Sequence, residues 1–102
     1  MTWNIGADPY EPAVQRLTFR GKTNIAAEVQ AELEQATAHF APFNSAHEGF
    51  AVLKEEVDEL WDEVKAKQGA RDLRNMRKKA IQVAAIAMRF VLDICDTGRE
   101  QV

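Results

Sequence analysis

An apolar repeat near the carboxyl end of the chain predicts a long buried helix. Apolar side chains recur at alternating steps of three and four residues over three heptads, at Leu73, Met76, Ala80, Val83, Ala87, Phe90 and Ile94. This spacing places them along one face of an α-helix. Ile81, Ile86 and Leu92 add apolar surface on other faces, so the helix should be buried on more than one side. Three helices of one chain cannot cover it all, and we therefore expect it to contact another subunit as well.

A first long helix should precede this one. It is expected from about Thr23 or Asn24 to Phe40, and Pro42 ends it because proline disfavours helix in the residue before it. Residues 1–22 contain proline and glycine and have no steady apolar period. They are expected to form an irregular arm with at most one short turn of helix at residues 11–12. Residues 23–97 should then form one helical domain, and residues 98–102 a tail.

The middle helix has recognisable end signals. Ser45 is expected to cap its start, because Glu48 three residues later completes a capping-box pattern. The helix should end near Gln68, with Gly69 as a left-handed cap. Asp72 can cap the third helix, which should end at Gly98. The sequence shows no strand pattern, so the predicted fold is all-α: an antiparallel helical hairpin plus a further long helix, assembling as an oligomeric bundle of four-helix type.

The middle helix combines an apolar stripe with six acidic side chains between residues 54 and 64. At about 100° per residue, three of the acids point away from the apolar side and should be solvated: Glu55, Asp58 and Asp62, called here the solvent acids. The other three fall in a narrow arc beside the stripe: Glu56, Glu59 and Glu63, called the shoulder acids. Like charges three and four residues apart destabilise a helix. A bound cation would relieve that repulsion, although an acidic run is more commonly only a solvated face.

The short link between the second and third helices sets the expected pairing across the hairpin. With a turn near Ala70, the shoulder acids should face the stretch from Arg74 to Gln82. The expected neighbours are Ile81 for Glu59, Ala84 for Glu56 and Arg77 for Glu63. Residues 71–79 form the one strongly basic segment of the chain.

Composition excludes several other classes. A formal net charge of −3 does not favour binding to nucleic acid or to an anionic membrane. Cys95 is the only cysteine, so an internal disulfide is impossible and a cysteine-based zinc site is excluded in practice. The amino-terminal residues do not read as a signal peptide, and no apolar run is long enough to span a bilayer. We therefore expect a cytoplasmic protein that binds neither nucleic acid nor membrane.

Two segments resemble the MazG-like nucleotide pyrophosphohydrolases. One is His47–Leu60, whose core is Glu56-Val57-Asp58-Glu59-Leu60, and the other is Met76–Phe90, which is similar to the matching helix of small phage-type and bacterial members. The likeness covers roughly residues 44–95. It implies an oligomeric helical bundle, a dimer or tetramer, that hydrolyses (deoxy)nucleoside triphosphates to a monophosphate and pyrophosphate with Mg²⁺, or with Mn²⁺ as the alternative metal.

The resemblance also implies site residues. The family binds metal through Glu-x-x-Glu on one helix and Glu-x-x-Asp on the next, which here makes Glu56 and Glu59 the metal ligands. Glu63 or Glu59 would orient the attacking water. The second pair departs from the family, because its positions hold Lys79 and Gln82. A charged lysine cannot ligate magnesium, and an amide oxygen is a weaker ligand than a carboxylate.

Three interpretations of Lys79 stay open. It acts as a built-in cation for Glu59 or Glu56 in a fold without catalysis, it binds substrate phosphate together with Arg77, or it forms an ordinary salt bridge between helices. Three functions follow. The first is a nucleoside triphosphate pyrophosphohydrolase, the second a catalytically impaired nucleotide-binding or regulatory protein, and the third a purely structural helical oligomer.

Overall fold

The computed structural model describes the backbone of residues 11–98 and the side chains of residues 24–98. Over these residues the chain is helical with no strand, which confirms the all-α prediction. The three long helices are α1 (Glu11–His39), α2 (Ala46–Val64) and α3 (Leu73–Phe90). A 3₁₀ turn, Gln68–Ala70, joins α2 to α3, and α3 continues into a short π-helix, Val91–Cys95. No helix in the described part of the chain is both long and apolar enough to cross a bilayer.

Both predicted N-terminal helix caps are present. The Ser45 hydroxyl accepts a hydrogen bond from the backbone N–H of Glu48 at 3.1 Å. The Asp72 carboxylate accepts bonds from the backbone N–H groups at positions 74 and 75. Each cap supplies a partner for amide groups that the first helical turn leaves unbonded. These two caps fix where α2 and α3 begin.

The predicted end of the second helix differs from the structure. The second helix ends at Val64 and not near Gln68. Gly69 lies in the 3₁₀ turn, and among the described residues only Gly98 has a positive φ, of 66°, so Gly69 is not a left-handed cap. The backbone tightens into i→i+3 bonding after the last α-helical turn, a common way to end a helix.

The first helix begins earlier than predicted. It starts at Glu11, with Pro12 in its first turn, where a missing N–H costs nothing. The expected start at Thr23 or Asn24 was wrong, because residues 11–22 form a helix without the apolar period that the prediction relied on. The expected domain boundary after residue 22 therefore falls inside α1. The rest of the predicted arm, residues 1–10, and the tail after Gly98 lie outside the described residues.

α2 and α3 form the predicted antiparallel hairpin. Lys79 of α3 contacts Glu59 of α2, and Asn75, earlier in α3, contacts Glu63, later in α2. The hairpin is centred on residue 69, one residue before the expected centre at Ala70. Each pairing is consequently shifted by two residues along α3.

A small apolar core closes the open end of this hairpin. It contains Phe43, Ile86 and Ile94, with four half-buried residues packed against it: Ala46, Val52, Leu53 and Phe90. Gly49 makes this packing possible. A Cβ atom added there would lie 2.7 Å from a ring carbon of Phe90.

Arg89 fastens the loop between α1 and α2 to α3. The residue is only 4% exposed, and its guanidinium stacks over the Phe43 ring, 4.4 Å from the centroid. It donates hydrogen bonds to the carbonyls of Phe40 and Ala41. Its Nε lies 3.3 Å from Oδ2 of Asp93, and the same oxygen accepts the N–H of Phe43 at 3.1 Å.

α1 runs parallel to α3. Arg77 near the start of α3 forms an ion pair with Glu28, and Arg89 near the end of α3 reaches Phe40 at the end of α1. The two contacts have the same offset of 49 residues along the chain. The parallel helices leave a groove between them, open to solvent.

Candidate functional site

The groove consists of two neighbouring cavities of about 350 and 260 Å³. Glu32 and Gln35 of α1 line both cavities, so we treat them as two ends of one site. The larger cavity is called here the acidic end and the smaller one the basic end. Together they reach the size of pockets that hold small ligands.

The acidic end brings together polar side chains from all three helices. Glu32 comes from α1, Glu56 from α2 and Gln82 from α3, while Ala85 and Ile86 supply an apolar wall. His39 and Phe40 stand at the rim where α1 ends, and Phe40 is largely exposed. The site thus has carboxylate and amide oxygens at its base and an exposed aromatic ring at its edge.

Glu56 is the most unusual group in this cavity. Its Oε2 atom is buried and has no hydrogen-bond partner, although a buried carboxylate oxygen is normally paired. Burial, followed by the negative charge of Glu59, raises the pKa of the Glu56 carboxyl, and the positive charge of Lys79 partly opposes this. The carboxylate is therefore held in a place that favours a proton or a cation.

Lys79 pairs with Glu59. Its Nζ lies 3.3 Å from Oε2 of Glu59, and its side chain is only 24% exposed. One of the interpretations left open by the sequence paired Lys79 with Glu59 or Glu56, and in the structure the partner is Glu59. The ammonium thus stands beside the two acids for which the resemblance implied metal binding.

Glu63 and Arg77 are not part of this cluster. Glu63 accepts a short hydrogen bond from the side chain of Asn75, and it does not face Arg77 as expected. Arg77 turns toward α1, where one of its donors lies 2.7 Å from Glu28 and lowers the pKa of that carboxyl. The two-residue shift of the hairpin explains both differences. The expected neighbour of Glu63 moved from position 77 to position 75, which freed Arg77 for α1.

The basic end of the groove lies beside the first turns of α3. Arg74, Arg77 and Lys78 line it, together with Glu28 and Glu32. Arg74 and Lys78 have no ion-pair partner among the described side chains. Because these three cations outnumber the two carboxylates, the surface can bind an anion with several oxygens, such as a phosphate chain.

The shoulder acids only partly fit a magnesium ion. No group of three or more histidine, cysteine, aspartate or glutamate side chains converges in a geometry for metal among the described residues. Glu56 and Glu59 are neighbours, and Gln82 lines the same cavity as Glu56. Magnesium is usually bound by one or two carboxylates plus substrate phosphates. The pair therefore suits a metal that arrives with a nucleotide, and not a permanently bound ion.

The α1 residues of the groove were missed in the sequence. Glu28, Glu32, Gln35 and His39 follow one another at steps of four, three and four, which places them on one face of α1. This polar stripe was a detectable signal. A polar helix face normally points to solvent, however, and only the packing of α1 on α3 turns it toward a cavity.

Neither protein-family models, nor curated proteins, nor solved structures give a match to this chain. The groove and the two segments that resemble a known family are therefore the features of the chain that indicate a function.

Proposed function

We propose that this chain is a MazG-like nucleotide pyrophosphohydrolase, which cleaves (deoxy)nucleoside triphosphates into a monophosphate and pyrophosphate in the presence of Mg²⁺ or Mn²⁺. The observation that carries this proposal is the unpaired buried oxygen of Glu56, next to Glu59, at the base of a groove with a basic end. A carboxylate that lies in a cleft, with one oxygen buried and its pKa raised, is a candidate functional group. The position is also the one at which the resemblance implies a metal ligand.

The two ends of the groove would hold different parts of the substrate. Arg74, Arg77 and Lys78 would hold the outer phosphates by charge-assisted hydrogen bonds. Glu56 and Glu59 would hold the metal, which when bound neutralises charge on the attacked phosphate. Phe40 and His39 at the rim are then left for the nucleoside.

The attacking water needs a carboxylate base. Glu63 is held by Asn75, so we assign the predicted base role to Glu59, whose carboxylate is close enough to Glu56 to raise its pKa. For Glu59 to act, Lys79 must release it. A phosphate oxygen of the substrate is a competing partner for the ammonium, so substrate binding would free Glu59 and place Lys79 as a phosphate ligand.

The contact between Lys79 and Glu59 also favours a second candidate function. If the ammonium stays on Glu59, it takes the place of a metal charge, and the chain binds nucleotides without turnover, as a binding or regulatory protein. Phosphates still bind to the basic end in this case. The two candidates therefore differ in product formation and share nucleotide binding.

The test is pyrophosphate release from each common ribo- and deoxyribonucleoside triphosphate with Mg²⁺ or Mn²⁺, together with calorimetric binding of a non-hydrolysable triphosphate. We expect release from at least one triphosphate and its loss in Glu56→Gln. Glu55→Gln is the matched control, because it removes the same charge from the neighbouring solvent acid. Binding without release would favour the second candidate. If the chain shows neither nucleotide binding nor metal uptake, only the function of a structural helical bundle remains.

A further inference from the structure

Glu32 and Gln35, which line both ends of the groove, mark its middle. Along α1, Glu32 comes four residues after Glu28, which holds Arg77 of the basic end, and eight residues before Phe40 at the rim. At 1.5 Å per residue, these two steps measure about 6 and 12 Å along the helix axis. Glu32 therefore lies between the cations of the basic end and the aromatic ring at the other end of the groove.

The Glu32 carboxylate is half-buried and unpaired. Glu28, one turn earlier, accepts two hydrogen bonds from Arg77. Glu32 has no hydrogen-bond or ion-pair partner among the described side chains. It does not join Glu56 and Glu59 around one ion, because no three acidic side chains of the described chain converge in a geometry for metal. Its two oxygens are therefore available to accept hydrogen bonds from a ligand.

The part of a nucleotide that faces Glu32 follows from this position. The proposed site holds the outer phosphates at the basic end and leaves the rim at Phe40 for the base, and the sugar links the two. Phosphate oxygens are repelled by a carboxylate, whereas sugar hydroxyls are neutral donors. Ribose offers neighbouring hydroxyls at its 2′ and 3′ carbons, which match the two oxygens of one carboxylate. An acidic side chain binds the ribose 2′-hydroxyl in the same way in dinucleotide-binding folds.

We propose that Glu32 accepts a hydrogen bond from the 2′-hydroxyl of the substrate and makes the groove selective for ribonucleoside triphosphates over their 2′-deoxy counterparts. The inference rests on the proposed nucleotide site and adds the sugar preference of that site. Removing the 2′-hydroxyl takes away a hydrogen bond to a charged group, which corresponds to a loss of affinity of about 10-fold or more. Glu32 is thus a specificity-determining residue on the helix that supplies neither of the proposed metal ligands.

The test is calorimetric titration of the full chain, in the presence of Mg²⁺, with α,β-methylene analogues of the common ribonucleoside triphosphates and of their 2′-deoxy counterparts. These analogues resist cleavage between the α- and β-phosphates, so the titration measures binding alone. For a given base, the ribose analogue should bind about 10-fold or more tightly than the 2′-deoxy analogue. This wild-type comparison needs no substitution.

Glu32→Gln assigns the preference to its residue. A neutral amide oxygen is a weaker acceptor than a carboxylate, so the ratio of the two affinities should fall below about 3-fold. The 2′-deoxy analogue should bind this variant as well as it binds the wild type, or more tightly, because a negative charge near the phosphates is gone. Glu34→Gln is the matched control. It removes the same charge from α1 at a residue that bonds Gln30 and lines neither cavity, and it should keep the wild-type ratio.

Three results overturn the proposal. They are equal binding of both sugars by the wild type, a Glu32→Gln variant that keeps the wild-type ratio, and a Glu32→Gln variant that loses both sugars equally. Pyrophosphate release tests the proposed function separately. A sugar preference that depends on Glu32, without release from any triphosphate, supports the inference and refutes hydrolysis. Release with no sugar preference does the reverse, and the absence of any triphosphate binding refutes both.

Discussion

Replacing Lys79 with glutamate tests whether Glu56 and Glu59 form a metal site that an internal cation occupies. Lys79 is 3.3 Å from Glu59, and a partly exposed ion pair of this kind stabilises a protein by roughly 0.2–1 kcal/mol. The substitution removes that pair and adds a third carboxylate, so without metal the variant should be about 1–2 kcal/mol less stable than the wild type. For a domain of this size, that corresponds to a fall in Tm of roughly 4–16 °C.

Magnesium should reverse this loss. Three carboxylates around one position bind a divalent cation more tightly than two carboxylates with a competing ammonium. A metal present at 100 times its Kd stabilises the folded state by about 2.7 kcal/mol, which raises Tm by roughly 10–20 °C. The wild type should show a much smaller rise.

The assay is thermal unfolding at zero and at saturating magnesium chloride, with calorimetry for the metal affinity. Lys78→Glu is the matched control, because it makes the same change of charge at the preceding residue, which lines the basic end. If Lys79→Glu gains no more stability from magnesium than Lys78→Glu does, the two shoulder acids are not a metal site.

Three further substitutions test the packing and the electrostatics. Gly49→Ala should destabilise the fold by about 1 kcal/mol in chemical denaturation, since the clash with Phe90 exceeds the gain in helix propensity; an unchanged midpoint would contradict the close packing. Arg89→Met should cost about 3 kcal/mol, because it leaves the Asp93 carboxylate half-buried without its cation; a loss under 1 kcal/mol would show that the network is dispensable. Glu56→Gln should be more stable than the wild type at pH 7. Because the pKa of Glu56 is raised in the folded state, the wild type loses stability as the pH rises through that pKa. The stability difference between the variant and the wild type should therefore shrink toward pH 4. A difference that stays constant with pH would refute the burial of the charge.

Local signals in the sequence were sufficient for most of the fold. Ser45 and Asp72 cap their helices as predicted, because capping depends on a few neighbouring residues. The hairpin followed from the short link between two apolar patterns. It placed the shoulder acids opposite the stretch from Arg74 to Gln82, which contains Lys79.

What the sequence could not supply depends on tertiary packing. A one-residue error in the centre of the hairpin moved every contact by two residues, which separated Glu63 from Arg77. The extra length of α1 was missed because residues 11–22 have no apolar period. The contribution of Glu32 to the groove arises only when α1 packs along α3, so a polar helix face gave no reason to expect a site.

The most direct test of the central claim is paramagnetic broadening of backbone amide signals by Mn²⁺ in the presence of a non-hydrolysable nucleoside triphosphate. If the groove holds a metal-bound nucleotide, the broadening should be strongest around Glu56, Glu59 and Gln82. It should be weaker at the solvent acids. Broadening centred on the solvent acids would contradict a nucleotide site between α1 and α3. The same conclusion would follow if no signal broadened at any Mn²⁺ concentration below the one at which Mn²⁺ binds non-specifically.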